Sequence, residues 1–420
     1  MTVSKRYRIL TILALLILTA TPPAHAIFRS QCPTLPGGAV LGDLDGDGFI
    51  RFDQNEITDP VSPNQVCVHL AAGDGFINMA DKTSNPAEPN GHEQYIFGFV
   101  NVTGLSDAQV GNMFDHPTAP GAMLGMTFPG PTLKFRQGDD VYLSLSNVGM
   151  PIRPDLFDPH SVHWHGFPNA APVFDGEPMA SVSINMGSTF TYYYKVQEPG
   201  TFMWHCHVEA SEHMQMGMLG NLQVAPALGD SFAYNVADTS FTPGQDYPIQ
   251  IAAFDPVFHD LHAGVQPLPF ANMKDTYPML NGRGYPDTIN PNELNNNYDY
   301  PSQRVPTRII AAPGDRILLR ISSLSTTSYH TISTLGIPMQ VIGTGARILN
   351  GNGDPLGTPL YYTTNSLTLG GGEAYDVILD TAGVSPGTYF LYSTNLEHLN
   401  NNKENFGGFM TEIVIGGGPI

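Results

Sequence analysis

Two short stretches of the chain concentrate side chains able to hold a metal. PHSVHWHG supplies His160, His163 and His165, and GTFMWHCHVEASEHMQMGM, residues 200–218, supplies His205, Cys206, His207, His213 and Met218. Six of the chain's 14 histidines fall between residues 160 and 213. Strand parity sorts these groups, because residues two apart on a β-strand share a face and neighbours oppose one another. His163 with His165, and His205 with His207, can each aim a pair of imidazoles one way, while Cys206 points the other way. His160 lies an odd number of residues from His163 and can join the cysteine; His213 and Met218 return in the turn and strand that follow. One set is therefore His160, Cys206, His213 and Met218, and the other is four histidines placed back to back with it.

Each set has a preferred chemistry. Two imidazoles, a thiolate and a weak thioether are the ligands of a trigonal blue-copper electron-transfer site, and imidazole-only sets suit copper that binds oxygen or a small anion. The peptide bonds from Cys206 to His205 and His207 then bridge the two centres. Zinc is the alternative for a Cys/His set, but the spacing to Met218 favours copper. Met214 and Met216 flank His213 and read as strand packing or as soft ligands for Cu(I). Glu209 and Glu212 lie near the edge where electrons would enter at His213 and favour cationic donors. Asp175, in the DGEP segment, reads as a turn cap ahead of a proton relay.

These groups need rigid elements to hold them. Segments such as TLKFRQGDDVYLSLSNVG and SINMGSTFTYYYKV alternate apolar and polar residues, which predicts antiparallel strands. The pattern recurs. RIIAAPGDRILLRISSLS at 308–325 answers the first segment, and SLTLGGGEAYDVILDTAGVSPGTYFLYSTN at 366–395 answers the run through His-Cys-His. A two-fold repeat predicts two similar β-domains, over 89–228 and 245–416. The 44 glycines and 36 prolines among 420 residues suit short strands and turns, and a formal charge of −20 argues against nucleic acid or an anionic membrane as partner.

The first 26 residues have a basic start, an apolar stretch from Ile9 to Ala20 and a small-residue ending at Ala24-His25-Ala26. They read as a secretory signal, so the mature protein is expected to be exported to the periplasm or outside the cell, with no membrane anchor after processing. Residues 27–88 read as a short appended segment. In an oxidising compartment Cys32 and Cys67 can close a loop worth roughly 2–4 kcal/mol, leaving Cys206 for metal. Asp43, Asp45 and Asp47 ahead of Gly48 are like the first half of a calcium loop, with Gln54 where a bidentate acid is expected. They mark a candidate calcium site, an acidic turn being the other reading. GDGFINMAD at 73–81 echoes that loop without its leading acids.

PGPTLKFRQGDDVYLSLSN, HSVHWHG, DGEP and PGTFMWHCHVEASEHMQMGM together resemble the multicopper oxidase family, over roughly residues 90–415. The resemblance implies an all-β fold of two cupredoxin-like Greek-key β-sandwich domains, similar to the two-domain members of that family. Carried over, His160, Cys206, His213 and Met218 correspond to type 1 copper ligands, His163 to a type 2 ligand, and His165, His205 and His207 to type 3 ligands. The family usually places a histidine five residues after the cysteine; here it comes seven after, which implies a longer loop.

The second repeat departs from the pattern. A full oxygen-reducing cluster takes twice the four histidines that the first repeat supplies, and two-domain members complete it in a homotrimer. Here SYHTISTLG offers His330 alone, with Ser333 and Leu335 at the two positions that follow, and Tyr392, Ser393 and Thr394 stand against His205, Cys206 and His207. The second domain thus reads as having lost its copper ligands. His259, His262 and His398 are further candidates to reach the cluster. The expected activity is oxidation of a phenolic or metal-ion donor with oxygen as acceptor. A copper nitrite reductase-like enzyme and a non-catalytic electron-transfer or copper-binding protein are the alternatives.

Overall fold

The computed structural model of the chain describes residues 28–32, 49–50, 64–81, 92–115, 125–168, 170–351 and 356–417. The N-terminal residues that read as a secretory signal and the candidate calcium residues Asp43, Asp45 and Asp47 lie outside these residues.

In the first half, a four-stranded sheet runs in the order Glu93–Asn101, Gln65–Asn78, Asp140–Asn147, Thr189–Lys195. A five-stranded sheet runs Phe49–Ile50, Gly130–Arg136, Leu219–Ala225, Gly200–His205, His163–His165. The apolar alternation places one face of each strand inward, and Val66, Leu70, Leu143 and Tyr192 of one sheet meet Leu133, Phe135, Trp164, Trp204 and Leu222 of the other in one core. The second half repeats the plan. A seven-stranded sheet is built on Asp246–Phe254, Arg316–Ser323, Ala374–Asp380 and Met339–Thr344, and a five-stranded sheet runs Ile309–Ala311, Met410–Ile415, Gly387–Ser393, His330–Thr334, Ser366–Leu369. The fold is thus all-β and of the cupredoxin type.

Two expectations change. The alternating segments are not all antiparallel: Gln65–Asn78 runs parallel to Asp140–Asn147, and Gly130–Arg136 parallel to Leu219–Ala225. Alternation reports only that one face is buried, and either strand direction satisfies it. The segment 27–88 is also not wholly appended, since Gln65–Asn78 lies inside the four-stranded sheet with Val66, Val68 and Leu70 buried. In the stretch at 73–81 that echoed a calcium loop, residues 73–78 are the end of this strand. Its Asp74 is buried, accepts a hydrogen bond from the Tyr95 hydroxyl at 2.9 Å, and is pushed up to about 7 by that burial. Cys32 and Cys67 are disulfide-bonded, with Cα atoms 5.8 Å apart.

The two halves share a further core. Phe128, Met203 and Leu219 of the first pack with Phe254, Tyr277, Leu324 and Ala374 of the second. Beside them runs a buried charged network. Arg320 Nε donates to Asp246 at 2.8 Å and Arg320 Nη1 lies 3.6 Å from Asp376, while Lys134 from the first half reaches Asp246 at 3.1 Å. Burial alone would raise the Asp246 carboxyl, but Arg320 and Lys134 hold it below its ordinary value.

Candidate metal centre

The site begins with strand pairing. His163–His165 lies antiparallel to Gly200–His205, with His163 opposite His205 and Trp164 opposite Trp204. The tryptophans face the core, where Trp164 stacks on Tyr194 at 3.7 Å and the Trp204 indole donates to the Asn221 carbonyl at 3.1 Å. The imidazoles on the opposite face form one set. His163 has ring centroids at 5.3 Å from His205 and 5.0 Å from His207, and His165 lies 5.6 Å from His205. Ligand atoms of His163, His165 and His205 all fall within 4.8 Å of one another.

Backbone acceptors orient these rings. His163 Nδ1 donates to the Asp175 carbonyl at 2.6 Å and His205 Nδ1 to the Cys206 carbonyl at 2.8 Å, which leaves each Nε2 for the set. The DGEP turn comes this close because residue 176 is glycine: its φ is +77° and a Cβ there would run into the Val162 carbonyl. His165 is held from the second half, for a Cβ on Gly372 would stand 2.9 Å from its Nε2. Its Nδ1 faces His205 Nε2 at 3.4 Å.

Cys206 leaves the strand toward the other face. His213 Nδ1 lies 3.2 Å and His160 Nδ1 4.0 Å from its Sγ, and ligand atoms of the three lie within 4.8 Å of one another. All three, with Met218, are fully buried. His160 is anchored by paired backbone bonds to Ile184, and His213 rides on the short helix Ala210–Gln215. Met218 is tied to both partners, its carbonyl accepting from Cys206 N at 3.0 Å and its N–H donating to the His213 carbonyl at 2.8 Å. Burial pushes the Cys206 thiol up to about 12 and lowers His213 to about 4, with His160 well below its ordinary value. Burial also lowers His205 to about 3, the neighbouring imidazoles adding to it. Without a cation the site therefore holds a thiol and neutral imidazoles at neutral pH.

The structure thus brings His160, Cys206 and His213 together on one side and His163, His165, His205 and His207 on the other, with Met218 tied to the first set through its backbone. The further candidates do not join them. His259 is buried with Nδ1 2.6 Å from the Tyr95 carbonyl and Nε2 2.9 Å from the Gln215 carbonyl, and His262 bonds Glu212 at 2.8 Å. His330 and His398 contact each other and Phe409 in the second half. Glu212 is thereby engaged with His262, whereas Glu209 and Asp158 lie at His213, their ligand atoms all within 4.8 Å. Sequence reasoning missed Asp158 and Ser161. Burial and the charges of Glu212 and Glu209 push Asp158 up to about 6. The Ser161 N–H donates to Cys206 Sγ at 3.4 Å and its hydroxyl accepts from His207 N at 3.1 Å. The position of Ser161 inside HSVHWHG was its only signal.

The sequence matches the multicopper oxidase family over residues 109–228 and again over residues 258–412. Laccase-3 of Arabidopsis thaliana is 27% identical over 63% of this chain and 40% of its own length. Multicopper oxidase MmcO of Mycobacterium tuberculosis is 27% identical over 62% of this chain and 47% of its own. The chain thus spans less than half the length of these relatives. In fold it is similar to the blue copper oxidase from Nitrosomonas europaea, with a TM-score of 0.60 at 24% identity over 84% of this chain and 86% of that one. The copper nitrite reductase from the same organism superposes with a TM-score of 0.53 at 17% identity, over 84% and 94% of the two chains.

Proposed function

The chain belongs to the multicopper oxidase family, and from that premise we propose that it is an exported enzyme that oxidises a phenolic or metal-ion donor with oxygen as acceptor. The observation that carries this reading is the convergence of His160 Nδ1 and His213 Nδ1 on Cys206 Sγ, one residue away from a four-imidazole set. Both sets fit copper: soft sulfur with two imidazoles on one side, imidazoles alone on the other, each with donor atoms close enough for a single ion to bridge.

Copper held by His160, Cys206, His213 and Met218, and by His163, His165, His205 and His207, would supply one-electron oxidation at the first set and oxygen reduction at the second. The protein does the positioning. Asp175 and the Cys206 carbonyl fix the tautomers of His163 and His205, and burial keeps the imidazoles neutral and their lone pairs available. Asp158 and Glu209 place acidic oxygens beside His213, which favours a cationic donor at that edge. The signal-like N-terminal sequence supports the proposed periplasmic or extracellular residence. A homotrimer, the assembly that the sequence resemblance implies, is the state in which we expect the four-histidine set to work.

Copper analysis with electron paramagnetic resonance, beside oxygen uptake on a phenolic donor, tests the reading. Two or three coppers per chain, one of them type 1 and the rest on the four imidazoles, with oxygen uptake is the expected result. One copper with a type 1 signal and no uptake would replace it with an electron carrier, and two coppers with nitrite consumption with a reductase.

A further inference from the structure

The second half carries the same frame as the Cys206 site, although its sequence hides it. In the first half Cys206 N donates to the Met218 carbonyl at 3.0 Å and Met218 N to the His213 carbonyl at 2.8 Å; in the second, Ser393 N donates to the Phe409 carbonyl at 2.9 Å and Phe409 N to the His398 carbonyl at 2.9 Å. Strand register agrees, since His163 pairs with His205 and Ser333 with Tyr392. His330 precedes Ser333 by three residues, as His160 precedes His163. Residue for residue, His330, Ser393, His398 and Phe409 stand where His160, Cys206, His213 and Met218 stand.

Both imidazoles of that frame survive and meet. His330 Nδ1 lies 3.3 Å from His398 Nδ1, and Ser393 Oγ lies 3.5 Å from the latter. His330 is fully buried and its Nε2 has no hydrogen-bond partner. Two imidazole nitrogens about 2.0–2.1 Å from one ion and separated by 3.3 Å subtend about 105–110° at it, the tetrahedral range. Phe409, with ring centroids 4.8 Å from His330 and 5.7 Å from His398, fills the side where the thioether would be.

We propose that His330 and His398, with the Ser393 hydroxyl, form a second metal site, one that takes a divalent ion such as zinc or copper(II) without blue-copper chemistry. Ser393 offers no thiolate and Phe409 no sulfur, so the ion held there is structural. It ties the start of the strand His330–Thr334 to the loop that joins Gly387–Ser393 to Met410–Ile415. Burial lowers both imidazoles, His330 to about 3, so each presents a lone pair at neutral pH. The sequence correction is specific: the second half keeps two of its four frame ligands, His398 as well as the His330 that the sequence offered.

The test uses the full chain with its first-half sites filled with copper and then dialysed against zinc chloride. One zinc per chain is expected, absent in His398→Ala, with the blue absorption the same in both proteins. Zinc should also raise the melting temperature of the parent and leave that of His398→Ala unmoved, a readout that holds where the buried variant His330→Gln does not fold. Copper(II) offered in place of zinc should add one copper without a blue band and block zinc uptake there, because copper(II) binds imidazole more tightly than zinc. Failure of the parent to take zinc, or equal zinc in His398→Ala, overturns the proposal. Because the blue band reports only on Cys206, its absence would count against the proposed oxidase and leave the zinc count to decide this site.

Discussion

The carbonyl oxygen of Cys206 accepts a hydrogen bond from Nδ1 of its own neighbour, His205, at 2.8 Å. The residue whose sulfur serves one set therefore also orients an imidazole of the other, and the two sets are joined by a hydrogen bond as well as by a peptide bond. Any shift of the backbone at Cys206 moves both.

Replacing Cys206 by serine should abolish the intense absorption in the red, since a hydroxyl cannot replace thiolate in that band. The backbone carbonyl is unchanged, so the four-histidine set should keep its copper. Visible absorption and metal analysis on the same sample check this, and loss of copper from both sets would mean that they do not fill separately.

Copper uptake by the Cys206 set should release one proton per ion at pH 7. The thiol sits near 12 and is protonated in the metal-free protein, while His213 near 4 and His160, which burial holds well below its ordinary value, have no proton to give. Near pH 4 His213 is about half protonated, so the release should rise. The same depression acts on stability. Buried His205, lowered from 6.5 to about 3, binds fewer protons when folded than when unfolded, so its contribution is full above about 6.5 and lost as pH falls toward 3. Calorimetry in buffers of different ionisation enthalpy measures the first effect, and denaturant unfolding of the metal-free protein across pH 3–7 the second.

Gly372→Ala should disturb the four-histidine set and spare the blue band. Its φ of +89° disfavours any Cβ, and that Cβ would press on His165 Nε2. Strain of roughly 1 kcal/mol or more is expected. Altered resonance from the histidine-bound copper with an unchanged type 1 signal is the signature.

Arg320→Ala leaves the buried Asp246 and Asp376 facing each other with Lys134 as the remaining cation. A loss of roughly 3–5 kcal/mol is expected. The denaturant midpoint measures it, and Arg320→Lys should recover part of the loss.

The ligands were legible because their types are rare and the strand period assigns each to a face: His205 and Cys206 diverge as parity requires, and His207 keeps parity beyond the strand end. The acceptors were not, because the Asp175 carbonyl that holds His163 is backbone and carries no residue signature. His259 and His262 read as candidate ligands since sequence cannot show that carbonyls and Glu212 already engage them. His398 escaped alignment with His213 because it follows Ser393 by five residues whereas His213 follows Cys206 by seven; only the shared hydrogen bonds at Phe409 and Met218 reveal the match. Two-fold repetition gave the number of sandwiches, but strand direction is set by the connections between strands, which alternation does not report.

The core shared by the halves has an evolutionary consequence. Residues such as Phe254 and Ala374, packed against the first half, and Arg320, whose Nη1 reaches Thr201 Oγ1, are pinned by what they touch across the junction, so selection for folding alone keeps the second half in place. Positions such as Leu335, exposed and outside that junction, are under no such restraint and are free to drift. A duplicated domain can in this way outlive part of its chemistry, retained as the frame on which its twin is built.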